Sequence, residues 1–231
     1  MKKAVLVFLL LTGFANQAQT KSDLHKHYEA FYDQMRLQGD VDGVINALTH
    51  LNVLAPSKER MDTLAYIYAN DNQYLQALNT IGIEKNESDS DLGVQVKAMS
   101  LKALNQPKRA LEQFEVLFKR SPNAYLAYEM ADLKIQVGDD KGATENITYG
   151  IANAQDDMKY AFYERQQPYE VSLKAALLHL RALVEFNKDQ NNPDQALATI
   201  EEALKLDPNF NLASLSKQAL EARKQELQAP K

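Results

Sequence analysis

The stretch LAYIYANDNQYLQALNTI, residues 64–81, decides the fold of this 231-residue chain. Leu64 and Tyr68 lie one helical turn apart, and Asn72 then interrupts the pattern. Ala77 and Ile81 follow at the same helical spacing and form a second apolar stripe. The stretch therefore predicts two antiparallel helices joined by a tight turn.

The same pattern recurs with a period of 33 residues. Four columns of equivalent positions mark the turn, the helix crossing, the apolar stripe of the second helix and the end of each unit. These columns are Gly39, Asn72, Asn105 and Gly138; Val44, Ala77, Ala110 and Ala143; Leu48, Ile81, Phe114 and Ile147; and Pro56, Asp89, Pro122 and Gln155. Neither helix of a pair buries its stripe alone, so successive pairs must stack into a solenoid with a lengthwise core.

Two stretches carry a resemblance to the tetratricopeptide-repeat family. The matching residues are Leu64, Ala65, Tyr68, Tyr74, Ala77 and Ile81, and later Ala196, Ile200, Ala203, Leu204 and Pro208. A period of 33 residues is also that of ankyrin repeats, so spacing alone does not choose between them, but the ankyrin signature T-P-L-H is absent. The resemblance implies an all-α fold, a right-handed α-solenoid of antiparallel helix pairs.

The repeat also predicts how the chain is divided. Ala143 and Ala196 are 53 residues apart, which exceeds one period by 20 and indicates an insertion. Because Pro168 disfavours helix at Gln167, we predict an irregular or extended segment over 158–168 and a helix from about Tyr169. The predicted parts are units near 25–57, 58–90, 91–123 and 124–157, an insertion at 158–169, a last unit at 170–208 and a capping helix at 210–228.

The first residues have the order of a secretory signal peptide. Lys2 and Lys3 precede an apolar run over residues 4–14, which is too short to span a bilayer, and a small, polar stretch follows. We predict a signal peptide over residues 1–18 and a repeat domain over 19–231, exported to the bacterial periplasm or outer envelope. The chain has no cysteine, so it is predicted not to be a lipoprotein.

Composition and motifs argue against several classes of partner and activity. Removal of residues 1–18 takes away two lysines and no acid, so the net charge of −5 becomes −7 and nucleic acid is an unfavourable partner. His25 and His27 are two residues apart, a spacing that does not suit a helical metal site. We find no catalytic motif and expect no enzyme activity, no metal and no cofactor.

The resemblance implies that the first helix of each pair lines an inner groove. The residues at the family's groove positions are Glu29, Asp33, Asp62, Tyr66, Gln95, Met99, Lys102, Tyr125, Tyr128 and Asp132. An acidic groove with tyrosines suits an extended peptide or loop that carries basic and apolar side chains. The alternative is that these aromatic side chains pack between neighbouring helices.

A second candidate surface lies in the insertion. It contains four aromatic residues, Tyr160, Phe162, Tyr163 and Tyr169. They either form a binding surface or fill a gap in the core. The sequence as a whole predicts a non-catalytic scaffold that binds another envelope protein or peptide; the alternative is a periplasmic carrier of a small molecule or glycan.

Overall fold

The computed structural model describes residues 20–164 and 167–229. These residues form eleven α-helices and one two-stranded sheet. In chain order the elements are α1 Lys21–Gln38, α2 Val41–Leu54, α3 Lys58–Asn70, α4 Tyr74–Ile81, α5 Asp91–Ala103, α6 Pro107–Arg120, α7 Ala124–Gln136, α8 Asp140–Asn153, β1 Lys159–Phe162, β2 Tyr169–Ser172, α9 Leu173–Lys188, α10 Asp194–Leu206 and α11 Asn211–Gln228. The predicted signal peptide, residues 1–18, lies outside the described residues.

The turn column ends the first helix of each of the first four pairs in the same way. Gly39, Asn72, Asn105 and Gly138 all have φ between 56° and 81°. After each of them, the next residue donates its backbone N–H to the carbonyl five positions earlier at 2.8–3.0 Å. Glycine and asparagine recur here because they adopt the left-handed conformation at least cost.

The crossing column brings the two helices of a pair together. Ala77, Ala110 and Ala143 are completely buried, and Val44 takes the equivalent position between α1 and α2. A methyl side chain lets the helix axes approach closely, and the larger side chains beside it fill the space around the crossing. Buried side chains continue through the stacked pairs to Leu220 in α11, so the core runs the length of the chain.

The second pair departs from the repeat, because α4 has only 8 residues whereas α2, α6 and α8 each have 14. A loop replaces the missing turns and is held by the buried Lys97, whose Nζ lies 2.5 Å from Asp89 Oδ2 and 2.9 Å from the Glu84 carbonyl oxygen. Lys58 binds the other oxygen of Asp89 at 2.8 Å. Burial raises the pKa of Asp89, but the two lysines outweigh it and lower the pKa below its ordinary value.

The insertion forms a β-hairpin before α9. Tyr160 lies opposite Val171 and Phe162 lies opposite Tyr169 in the antiparallel pair. The helix predicted from about Tyr169 is wrong in its start, because residues 169–172 are a strand and α9 begins at Leu173. Phe162 and Val171 are buried on one face of the hairpin, so an alternating pattern of period two overrides the helical interpretation.

The last helix, α11, packs against α10 and covers the end of the core. Its buried residues are Ala213 and Leu220. His179 of α9 is also buried, and its Nε2 lies 2.9 Å from Ser216 Oγ of α11. Burial lowers the pKa of His179 to about 4, against a smaller opposing effect of Asp132.

Candidate functional site

A concavity lies between α5, α6 and α7 and has a volume of about 730 Å³. Helix α5 contributes Gln95, Met99 and Lys102, and α7 contributes Tyr125 and Glu129. Four of the ten predicted groove residues therefore line one cavity. Side chains of α5 and α7 meet at this cavity through Lys102, whose Nζ lies 2.6 Å from Glu129 Oε2.

Large apolar side chains are exposed along this wall. Tyr66 of α3, Met99 of α5 and Tyr125 of α7 keep 42%, 45% and 41% of their surface exposed. Tyr66 and Met99 are one period apart in sequence, and Tyr125 follows on the next first helix. Together with the cavity they form the groove discussed below. Met99 and Tyr125 line the same cavity, and exposed apolar side chains that lie together are typical of a binding surface rather than of a solvated face.

A charged cluster lies at one side of the groove. Lys102 Nζ lies 2.6 Å from Glu129 Oε2 and 3.3 Å from Asp132 Oδ2. Burial lowers the pKa of Lys102, but the two carboxylates outweigh it and raise the pKa above its ordinary value. The lysine therefore stays charged and is already paired with acids of the protein itself.

The hairpin borders the groove at this cluster. The Tyr160 hydroxyl donates a hydrogen bond to Glu129 Oε1 at 2.8 Å, and its ring lies 4.1 Å from the Tyr128 ring, measured between centroids. Burial, together with the nearby carboxylates, raises the pKa of both tyrosines. Both hydroxyls therefore stay protonated, and that of Tyr160 acts as a hydrogen-bond donor. The hairpin thus covers Tyr128 and contacts Glu129 on the groove face of α7.

Two predicted groove residues are not available to a partner. Tyr128 is buried beneath Tyr160, and Asp62 is buried at the junction with the next pair. Asp62 Oδ2 accepts a hydrogen bond from Ser90 Oγ at 2.6 Å, so this side chain joins two repeat units. The prediction that Asp62 and Tyr128 form part of an exposed wall is wrong, because each is covered by residues distant in sequence.

The other predicted residues are divided between the groove and the first unit. Gln95, Tyr66, Met99 and Tyr125 are exposed, whereas Lys102 and Asp132 are half-buried in the charged cluster. Glu29 and Asp33 are exposed on α1, where Glu29 Oε2 lies 3.4 Å from His25 Nδ1 and Asp33 forms an ion pair with Arg36 at 3.7 Å. Glu129 was missed by the sequence analysis, although it lies one helical turn after Tyr125.

The four aromatic residues of the insertion have different roles. The Phe162 ring lies 5.0 Å from the Phe210 ring, 5.2 Å from Tyr160 and 5.8 Å from Tyr169, again between centroids. These contacts agree with the interpretation that three of the four fill the core. Tyr163 differs, because 74% of its surface is exposed.

Within residues 20–164 and 167–229, no group of three or more histidine, aspartate or glutamate side chains is arranged to hold a metal ion. In the same part of the chain, no helix combines the length and apolar character that a membrane span requires.

Solved structures share this arrangement of helix pairs. The crystal structure of MamA superposes with a TM-score of 0.62 at 15% identity, covering 81% of this chain and 93% of MamA. The fold is that of tetratricopeptide-repeat proteins. The all-α solenoid predicted from the sequence is therefore confirmed.

Two further structures have the same tetratricopeptide-repeat fold. MamA residues 41 to the end from Desulfovibrio magneticus RS-1 give a TM-score of 0.61 at 13% identity, covering 84% of this chain and 99% of that one. The APC/C hetero-tetramer Cut9–Hcn1 gives 0.52 at 14% identity, covering 84% of this chain and 35% of that one. No protein-family model matches the chain, and a comparison with curated protein sequences finds no relative.

Proposed function

We propose that this protein is a non-catalytic scaffold that binds another protein through its groove. The observation that carries the proposal is the row of Tyr66, Met99 and Tyr125, exposed on three successive first helices beside an open cavity. A partner segment that covered them would remove apolar surface from water, and tyrosine is among the residue types that contribute most at protein interfaces.

The charges along the first helices indicate which kind of partner segment can bind. Glu29, Asp33, Glu129 and Asp132 lie along the first helices, whereas Lys102 is held by two of these acids. A segment with basic and apolar side chains complements this wall, and an acidic segment would be repelled.

The fold supports a protein partner rather than a reaction. Proteins with this fold generally act as non-catalytic scaffolds, and the Cut9 structure contains a hetero-tetramer with Hcn1. By analogy we assign a scaffold role to this chain, which is an argument from fold and needs its own test.

The predicted signal peptide bears on where the partner is located. The signal peptide predicted over residues 1–18 supports export, so we propose that the partner is another protein of the bacterial envelope. A cytoplasmic location of the native protein in fractionated cells would contradict this part of the proposal.

A second candidate function has one observation in its favour. The cavity of about 730 Å³ is within the range of small-molecule pockets, roughly 300–1,000 Å³. A carrier of a small molecule or glycan would keep its ligand through purification. Native mass spectrometry of the purified protein tests this function, because a carrier shows a stoichiometric adduct and a scaffold does not.

Affinity capture from an envelope extract tests the scaffold function. The groove variant replaces Tyr66, Met99 and Tyr125 with alanine, and the control variant replaces Val53, Leu75 and Leu206, which are exposed apolar residues of second helices. We expect a discrete protein to be captured by the wild type and the control variant and lost from the groove variant. Equal capture by all three would contradict binding through the groove.

A further inference from the structure

Among the described residues, the outer edge of β1 has no neighbouring strand. The Leu173 N–H donates to the Met158 carbonyl oxygen at 2.9 Å, so residues 158 and 173 form a hydrogen-bonded pair. Hydrogen-bonded and non-hydrogen-bonded pairs alternate along an antiparallel ladder. The backbone groups of Tyr160, and of every second residue from it, therefore bond to β2. The backbone groups of Lys159 and Ala161 point away from β2.

The outer edge of β2 follows the same alternation, and one of its outward N–H groups is already hydrogen-bonded. Ser172, which lies opposite Lys159, donates its N–H to Asp207 Oδ2 at 2.9 Å. Asp207 follows α10, so the outer edge of β2 faces the C-terminal pair. The outer edge of β1 is the opposite edge of the sheet, and on this strand the Tyr160 side chain reaches Glu129 in the groove. Within the described residues, no hydrogen bond reaches the backbone N–H or C=O of Lys159 or Ala161.

The free edge lies beside the groove and on a fixed support. Glu129 lines the cavity and also accepts the hydrogen bond of Tyr160, so strand and cavity share this residue. Phe162 is buried against Phe210 and anchors the same strand from below. A strand held in this way presents its backbone groups in one orientation, which lowers the entropic cost of binding a partner.

We propose that β1 binds an extended segment of the partner protein as a third strand of the hairpin sheet. This inference rests on the proposed scaffold function and names how the partner is held. The backbone groups of Lys159 and Ala161 pair with the segment, and alternate side chains of the segment point into the groove. Tyr163 follows β1 directly and is exposed, so it is available to contact the segment.

The groove selects the inward side chains of the segment. They meet Met99, Tyr125 and the Glu129 carboxylate, so apolar and basic residues fit and acidic residues do not. The segment is therefore an extended, basic and apolar stretch rather than a helix, because only an extended backbone presents N–H and C=O groups to a strand edge.

Hydrogen exchange and binding of defined peptides test this mode. The probe is a blocked peptide of alternating lysine and valine, and the control is one of alternating glutamate and valine. On addition of the probe to the intact ¹⁵N-labelled protein, we expect the amide hydrogens of Lys159 and Ala161 to exchange more slowly. The control peptide should leave their exchange rates unchanged.

A proline substitution distinguishes binding at the strand edge from binding in the groove. Ala161→Pro removes an outward N–H but no bond to β2, so the hairpin should persist while the probe binds about tenfold more weakly. Glu170→Pro is the matched control, because Glu170 lies opposite Ala161 and its N–H points toward the outer edge of β2. It should bind the probe like the wild type.

Three results would overturn the proposal. If Ala161→Pro binds the probe like the wild type while the groove variant loses it, the groove binds peptides without the strand. If the probe fails to bind the wild type at millimolar concentration, the edge does not accept a basic extended segment, and the scaffold function is then judged by affinity capture alone. If the wild type is a dimer that Ala161→Pro converts to a monomer, the edge pairs two copies of this chain.

Discussion

Tyr160 donates its hydroxyl to Glu129 Oε1 at 2.8 Å, and this bond joins the hairpin to the groove face of α7. The same carboxylate binds Lys102 through its other oxygen at 2.6 Å. One residue thus connects the inserted hairpin, the first helix of the fourth pair and that of the third. The insertion is therefore part of the groove wall rather than a linker between repeats.

Removal of this bond should weaken the fold measurably. Tyr160→Phe keeps the ring contact with Tyr128 but loses the hydroxyl, and a hydrogen bond to a charged group contributes about 1.5–3 kcal/mol. We expect a loss of that size in the free energy of urea unfolding. Tyr163→Phe, in an exposed position of the same segment, should change it by less than about 0.5 kcal/mol. Equal losses in both variants would contradict the assigned contact.

The left-handed residues of the turn column allow a test of backbone strain. A β-carbon added at Gly138 meets no atom within 4 Å, so any cost of Gly138→Ala comes from its φ of 81°. We expect a loss of about 1–2 kcal/mol in unfolding free energy. Asn105→Gly, at the equivalent turn, should be tolerated because glycine adopts this conformation without strain. An unchanged stability for Gly138→Ala would show that the left-handed turn is not required.

The buried Lys97 of α5, which holds the loop after α4, should contribute more to stability than an exposed lysine does. Lys97→Met removes the charge that faces Asp89 at 2.5 Å, and breaking a buried pair costs about 3–5 kcal/mol. Lys58 still pairs with Asp89, so we expect the lower end of this range. Lys119→Met is the matched control, because Lys119 is exposed and its pair with Glu87 at 3.6 Å should contribute less than about 1 kcal/mol. Similar losses on thermal unfolding would contradict the role given to Lys97.

His179 should make the fold sensitive to acid. Its pKa is about 4 in the folded protein and 6.5 ordinarily, so between these values the unfolded chain binds a proton that the folded chain does not. Stability should therefore fall as the pH is lowered from about 6.5 to 4, by about 3 kcal/mol in total from this group.

A variant isolates that contribution. His179→Gln keeps a hydrogen-bonding partner for Ser216 but does not titrate, so the difference in urea-unfolding free energy between pH 7 and pH 5 should shrink by about 2 kcal/mol. His27→Gln, at an exposed position, should leave the pH dependence unchanged. If His179→Gln keeps the full pH dependence, another group is responsible.

Much of the fold could be predicted because the repeat depends on local requirements. Asn72 and Gly138 stand where the backbone must become left-handed, and Ala77 stands where two helices cross. Each of these structural requirements depends on contacts within one helix pair. The residue type at the position is therefore enough to predict the turn or the crossing. The start of α9 could not be predicted from helical periodicity alone, although the alternation in residues 159–162 and 169–172 was a signal for strands.

The groove was predicted less well, because it depends on contacts between distant parts of the chain. Tyr128 occupies a groove position of the repeat but is covered by Tyr160, which belongs to an insertion that the repeat does not describe. Asp62 is likewise buried, and it accepts a hydrogen bond from Ser90, the N-cap of α5. By contrast, no described segment covers Tyr66 or Met99. Their positions in the repeat were therefore enough to predict that they are exposed.

Site-specific photocrosslinking tests the central claim most directly. A photoreactive phenylalanine analogue at Met99 lies in the groove, whereas the same analogue at Val53, which is 77% exposed on α2, lies on a second helix. After irradiation in an envelope extract of the source organism, the account predicts a discrete crosslinked protein from position 99 and none from position 53. A protein crosslinked from position 53 alone, or equally from both, would contradict a scaffold that binds its partner in the groove.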